Sequence, residues 1–469
     1  MIEETILGPH HTPETDAILA EADRLFQSGQ RSLRQGDAGN ARRMFDRAID
    51  VLLEAAEELP DRQRAEQRCE QLAAAINALE IQELGGAGRA SGYQESPLDG
   101  LLAITFPVDP NLEMNAVEVL RLPVSELPLE VNSEVMKYIR YFSTTGGRKT
   151  LVQGLVRLGR YRPMIQRILR EEGVPQELMY LAMAESGYQA RALSRKRAAG
   201  MWQFMSSRGV QYGLKRSADY DERLDPVKAT RAAARHLRDL YVQLGDWYLA
   251  IAAYNAGPGR IDQAVRRTGY ADFWEFHRRR ALPAETIRYV PLILATIIMA
   301  KNPAEYGLES VVADPPLEYN AIEVSAATHL GLIADVLGRP LDELRDMNPA
   351  VLRDVVPAGH TAYVPKGAGV FVTAAVETVP EDRRASWRVH RVGDGESIAE
   401  IARLYRTTAE QIAVANGGAT VPEAGNLMVI PVSYTPANTV PEVGSARKKR
   451  NSVKSAPRRR AAFAVQTGG

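Results

Sequence analysis

From about Ser125 to Glu309 apolar residues recur at helical spacing with few breaks, and one helix in that run carries a carboxyl on its apolar stripe. The segment reads Gly173-Val174-Pro175-Gln176-Glu177-Leu178-Met179-Tyr180-Leu181-Ala182-Met183-Ala184-Glu185-Ser186-Gly187-Tyr188. Pro175 suits a first helical turn, and Gly187 suits the position just past the end. Leu178, Leu181 and Ala182 form the core-facing stripe, and Glu185 stands two turns after Leu178, where the pattern asks for an apolar residue. A carboxyl buried without a partner raises its pKa and keeps its proton. Cleavage of a glycosidic bond needs such an acid near neutral pH, to protonate the departing sugar oxygen. On periodicity alone the commoner outcome is a structural glutamate bonded to an arginine or a backbone amide.

The surroundings tip that balance. Downstream stand Ala199-Gly200-Met201-Trp202-Gln203-Phe204-Met205 and Tyr212-Gly213-Leu214, then Ala252-Ala253-Tyr254-Asn255-Ala256-Gly257-Pro258-Gly259-Arg260, and finally Glu285-Thr286-Ile287-Arg288-Tyr289. Aromatic faces cover sugar rings, while amides and hydroxyls bind the ring substituents. Each piece alone is weak, since Trp202 or Phe204 by itself is more often core.

In this order the pieces resemble the soluble-lytic-transglycosylase catalytic domain, as found in the membrane-bound lytic murein transglycosylase D family. The resemblance runs from about Leu127 to Glu309 and begins with Gly147-Arg148-Lys149-Thr150 and Gly159-Arg160-Tyr161. It implies a lysozyme-like helical domain with Glu185 as catalytic residue. It also implies substrate binding by Ser186, Ser194, Gln203, Met205, Tyr254, Asn255, Glu285 and Tyr289. Arg208-Gly209 departs from the family's usual Thr-Gly and alters the cleft rim. The implied reaction is cleavage of the β-1,4 bond between N-acetylmuramic acid and N-acetylglucosamine in peptidoglycan strands. Glu185 acts first as acid and then as base toward the muramic acid's 6-hydroxyl, which leaves a 1,6-anhydro end. An intramolecular nucleophile gains from proximity and needs no second carboxylate. Two alternatives stay open: a goose-type lysozyme-like hydrolase that consumes water, and a non-catalytic glycan-binding scaffold.

After Pro315 the texture changes to short alternating segments and single helices, in two related units. The second, 386–433, resembles a LysM module of βααβ form. Its loop Gly395-Glu396-Ser397-Ile398 and its Asn416 are the implied glycan contacts, with Glu396 where an aspartate is usual. The first, 315–368, lacks that loop signature, reading Ala327-Thr328-His329, and is expected as a degenerate LysM-like unit. It either packs on the catalytic domain or binds glycan. Residues 434–469 form a basic tail expected to be disordered.

The fold class expected is therefore mainly α: an N-terminal helical module, a lysozyme-like catalytic domain at 126–312, and small α+β units behind it. The N-terminal module, 1–90, resembles one tetratricopeptide hairpin, with Asn40 expected to cap the helix before Ala41. It packs as three helices or docks a protein partner. Residues 91–125, rich in Gly, Ser and Pro toward their start, read as a linker.

A chain of 469 residues suggests two to four domains. Its 58 basic and 58 acidic residues balance, so no chain-wide field favours nucleic acid. A lone cysteine, Cys69, forms no disulfide within the chain and sits on an apolar stripe. No paired metal-ligand spacing and no nucleotide fingerprint survive inspection, so neither metal nor cofactor is expected. No signal peptide is visible at the start, and no stretch is long and apolar enough to span a membrane. The expected substrate nevertheless places the protein in the periplasm or cell envelope.

Overall fold

The computed structural model describes residues 13–56, part of a helical stretch within 64–79, residues 94–102 and residues 124–434. The expected start, most of the linker and the basic tail after Tyr434 lie outside the described residues.

Helices α1 (Pro13–Arg34) and α2 (Ala38–Ala56) pair as a hairpin, and the stretch within 64–79 packs against them. Their shared core holds Phe45, Ile49, Leu52, Leu72 and the buried Cys69. Gly29 permits this approach, because a Cβ there would lie 2.5 Å from the Phe45 ring. The turn differs from the expectation at its cap: α2 begins at Ala38, and Asp37 Oδ1 accepts the Asn40 amide at 2.9 Å. Asn40 instead donates its side chain to Ser32. The earlier acceptor captures the free amides of the first turn, which moves the helix start upstream.

The expected linker also differs. Residues 94–102 form strand β1 (Gln94–Glu95) and helix α3 (Leu98–Leu102). Strand β1 pairs in parallel with β2 (Ala192–Leu193), and Leu98, Leu101 and Leu102 enter the main core. Three leucines in five positions give this segment a face to bury, which its flanking glycines and prolines obscure in composition.

The main domain is built around α12 (Ala284–Lys301), apolar on nearly every side and therefore central. In chain order before it come α4 (Ser133–Ser143), α5 (Thr145–Glu172), α6 (Met179–Ser186), α7 (Ser206–Gln211), α8 (Pro226–Leu244), α9 (Trp247–Ala256), α10 (Pro258–Thr268) and α11 (Phe273–Arg279). All of these helices except α7 contribute to one core, running from Leu98 to Leu308.

Two units of one topology follow. In the first, β3 (Tyr319–Glu323) pairs antiparallel with β6 (Thr361–Pro365). Between them lie α13 (Leu330–Leu337), α14 (Leu341–Met347) and the small pair β4 (Thr328–His329) with β5 (Val355–Val356). Helix α15 (Gly369–Glu377) leads to the second unit. There β7 (Arg388–Arg391) pairs antiparallel with β8 (Leu427–Ile430) around α16 (Ile398–Tyr405) and α17 (Ala409–Ala415). Asparagine plays the same part in both. Asn348 donates to the Leu344 and Tyr363 carbonyls and accepts the Tyr363 amide, and Asn416 does the same with Ile412 and Val429. Each side chain thus ties the end of the second helix to the returning strand.

The first unit packs on the main domain. Tyr220 sits in its core, and the Tyr363 hydroxyl reaches both oxygens of Asp225 at 3.0 Å. Asp335 joins the two units by accepting from Arg388 and from the Tyr434 hydroxyl.

Candidate active site

All eight residues of α6 are buried, and Gly187 ends the helix in the left-handed region at φ 58°. That stop puts Glu185 in the last turn, with its side chain 4 % exposed on the wall of a groove of about 440 Å³. The Tyr289 hydroxyl, from the middle of α12, donates to Glu185 Oε1. From the other side, Ser96 Oγ donates to the Glu185 backbone carbonyl at 2.5 Å.

Seven of the residues expected from the sequence line the same groove: Glu185, Ser194, Gln203, Met205, Tyr254, Asn255 and Glu285. Ser194 Oγ accepts the Ala198 amide at 3.0 Å and closes the loop that presents Lys196. Gln203 sits at φ 50° and donates to the Gly200 carbonyl at 2.7 Å. Gly200 is required where it stands, since a Cβ would fall 1.8 Å from the Arg223 carbonyl. The Tyr254 hydroxyl donates to the Trp202 carbonyl at 2.8 Å. Thr286 donates to Asn255 Oδ1 at 2.8 Å, which turns the Asn255 amide toward Glu285 at 3.3 Å. Lys196 stands 3.5 Å from the other Glu285 oxygen.

Two expected residues lie behind the groove. Ser186 is fully buried, and its hydroxyl donates to the Met201 carbonyl at 2.7 Å. Tyr289 is fully buried as well, and reaches the groove only through Glu185. Trp202, one of the aromatic candidates, is core, with its indole N–H on Thr230.

Residues 162–277 match the family described as the transglycosylase SLT domain. Among curated relatives, the membrane-bound lytic murein transglycosylase D of Escherichia coli K12 is 31 % identical over 251 residues, half of this chain and 55 % of that protein. The same protein from E. coli O6:H1 gives the same figures. The chain thus spans about half the length of the curated relatives it matches. Among solved structures, the 70 kDa soluble lytic transglycosylase of E. coli shares 14 % identity over 64 % of each chain, at a TM-score of 0.30. The lytic transglycosylase Slt of Pseudomonas aeruginosa shares 18 % over 66 % of this chain and 39 % of its own, at 0.26.

Around the SLT domain, several groove residues escape a sequence reading. Asp50 and Leu53 come from α2, and Ser96 and Leu98 from the strap at 94–102. The N-terminal helices are seated by Arg42 on the Ser217 and Ala218 carbonyls, by the Asp46–Arg216 ion pair, and by Ser207 on Asp50. Met205 packs into their core. His236 also lines the groove. Its Nδ1 lies 3.0 Å from the Tyr212 hydroxyl, which itself donates to Asp239. Burial, and then the charge of Arg208, push the His236 pKa down to about 3, so the ring is neutral near pH 7. Burial first, and then the charge of Glu185, hold the Tyr254 and Tyr289 phenols well above their usual range, so both stay protonated donors.

In the second βααβ unit, Gly395 and Ser397 are exposed in the loop ahead of α16, and Ile398 packs on the unit's core. Ser397 caps that helix in a reciprocal box with Glu400. Burial pushes the Glu396 carboxyl up, but hydrogen bonds from His390 and the Gly393 amide hold it below its usual value. Asn416 faces inward to β8, its amide taken up by the Ile412 and Val429 backbone. In the first unit the matching loop is partly covered, with Ala327 exposed and Thr328 buried. His329 caps α13 and stacks on Tyr434 with ring centres 4.0 Å apart.

Proposed function

We propose that this chain is a peptidoglycan lytic transglycosylase, cleaving the N-acetylmuramic acid to N-acetylglucosamine β-1,4 bond with Glu185 as acid and then base. The observation that carries the reading is a carboxyl almost wholly shielded from water yet opening on a groove lined by amides and aromatic rings. The Glu185 acid gives its proton to the leaving oxygen. As a carboxylate it then takes the proton of the muramic acid's 6-hydroxyl, whose oxygen closes on the anomeric carbon. No water is consumed, and the strand ends in a 1,6-anhydro sugar. Gln203, Asn255 and the loop of Ser194 hold the sugar substituents, and Ser186 positions the turn that carries the acid. Tyr289 keeps the carboxyl aimed through its hydrogen bond.

The groove also contains a second carboxyl, Glu285. That observation keeps a lysozyme-like hydrolase in view, although Glu285 is engaged by Lys196 and Asn255. Mass spectrometry of muropeptides released from purified sacculi decides. Anhydro ends, lighter by one water, are the expected product, and reducing ends would mark a hydrolase. Solubilisation by Glu185→Gln at the wild-type rate would remove the catalytic reading, leaving a glycan-binding scaffold.

The unit at 386–433 supports the reading as a LysM module that retains the enzyme on glycan, through the exposed loop at Gly395 to Ile398. Peptidoglycan as substrate places the protein in the periplasm or envelope. Among the described residues no helix is long and apolar enough to cross a membrane.

A further inference from the structure

His236 is 4 % exposed, lines the groove and has no part in the proposed reaction. It stands on α8 one turn before Asp239, and the Tyr212 hydroxyl bridges the two. That hydroxyl has a single proton, which goes to Asp239 Oδ2 at 3.1 Å. Toward the imidazole it can then only accept, so Nδ1 carries the ring's proton in the 3.0 Å contact. Nε2 is left as a bare lone pair, with no hydrogen-bond partner among the described residues.

The ring is held in that orientation. It is wedged between Tyr212 and Tyr254, whose ring centres lie 4.9 and 5.2 Å away. Tyr254 is itself tied to the Trp202 carbonyl. Burial and the Arg208 charge keep the imidazole neutral near pH 7. Gln203 repeats the pattern across the groove lining. Its amide nitrogen is spent on the Gly200 and Ala192 carbonyls, and its Oε1 is buried with no partner among the described residues. The groove thus presents two neutral acceptors, and a ligand that supplies donors relieves the cost of leaving them unmet.

We propose that His236 is a specificity-determining residue, whose Nε2 accepts the acetamido N–H of an N-acetyl sugar in the groove. The proposal rests on the glycan reading of that groove and deepens it. An amide N–H only donates, so a fixed lone pair suits it. A sugar hydroxyl is served as well by Lys196 and Arg208, donors that line the same groove. Neutrality matters too. A carboxylate at this place would favour the ammonium of a de-N-acetylated sugar, whereas a neutral imidazole close to the Arg208 charge does not.

The test is steady-state kinetics of the full chain on intact sacculi and on the same sacculi partly de-N-acetylated. His236→Phe keeps a buried ring without an acceptor, and His236→Gln keeps a neutral acceptor. On intact sacculi His236→Phe is expected to raise KM about tenfold with kcat within about threefold. His236→Gln should stay within about threefold of the wild-type KM. The wild-type preference for acetylated strands should shrink about tenfold in His236→Phe. Tyr212→Phe leaves the groove lining intact but frees the ring proton to move to Nε2, and should raise KM about threefold. A wild-type KM in His236→Phe, equal losses in the Phe and Gln variants, or an undiminished preference for acetylated strands would each overturn the assignment. A second readout is nuclear magnetic resonance of isotope-labelled histidine nitrogens in the Glu185→Gln chain, with a peptide-free tetrasaccharide of alternating N-acetylglucosamine and N-acetylmuramic acid as probe. His236 Nε2 should be unprotonated in the free chain and shift on saturation, and a protonated or unmoved Nε2 would count against the proposal equally. Absence of anhydro products from the wild type would instead sink the enzymatic reading, and the labelled-chain titration would still decide on His236.

Discussion

The Tyr289 hydroxyl and the Glu185 carboxyl meet across 104 residues of chain, at the contact of α12 with α6. Glu185 belongs to a wholly buried helix, and this donor from the core helps to aim its carboxyl.

Tyr289→Phe keeps the ring and its packing and removes only that donor. Its kcat on sacculi is expected to fall about 10- to 100-fold, corresponding to roughly 1.5–3 kcal/mol for a hydrogen bond to a charged or charge-developing group. KM should move less than about twofold, because the phenol does not line the groove. Unchanged turnover would reduce Tyr289 to packing.

Ser96→Ala removes the bond from the strap to the Glu185 carbonyl. The expectation is a fall in kcat of about three- to tenfold with a smaller change in KM, since the lost bond loosens the turn carrying Glu185. Equal losses in kcat and in thermal stability of an unrelated surface probe would point to general unfolding instead.

Asn348→Ala and Asn416→Ala should both destabilise their units, the first by about 2–3 kcal/mol, because the backbone groups they satisfy are left buried. Chemical denaturation followed at Trp387 reports on this region. Asn416→Ala variants that remain folded should bind chitin-type oligosaccharides as the wild type does, whereas Gly395 and Ser397 substitutions should weaken that binding.

His236 gives a pH dependence with a defined sign. Its folded pKa, about 3, lies below the ordinary 6.5. The unfolded chain therefore takes up the proton first as pH falls, and the stability owed to the neutral ring is complete above 6.5 and lost progressively toward 3. At pH 5 the loss is about 2 kcal/mol. His236→Phe should flatten the drop in melting temperature between pH 7 and 5. His329, lowered to about 4 mainly by burial, contributes in the same direction and serves as an independent comparison.

Much of the site was legible along the chain because its signals are local. Helical spacing and the Pro175 and Gly187 brackets place Glu185 on a buried face. The motif residues Ser194, Gln203, Met205, Tyr254, Asn255 and Glu285 gather in one groove. Ser186 and Asn416 show the limit of the same method. Each occupies a motif position, but spacing does not say whether a hydroxyl or an amide turns outward or back to its own backbone.

By itself, the sequence determined the helical character of the main domain, which carboxyl is enclosed, and that two related units follow it. Periodicity and caps encode these within a turn or two of each residue. Only the tertiary structure decided that α2 and the strap at 94–102 form walls of the groove, and that Tyr289 holds the Glu185 carboxyl. Likewise it decided that Tyr212 holds His236 on the groove lining. Those relations join residues far apart in the chain, and the register between packed elements that creates them is set by the shape of the shared core.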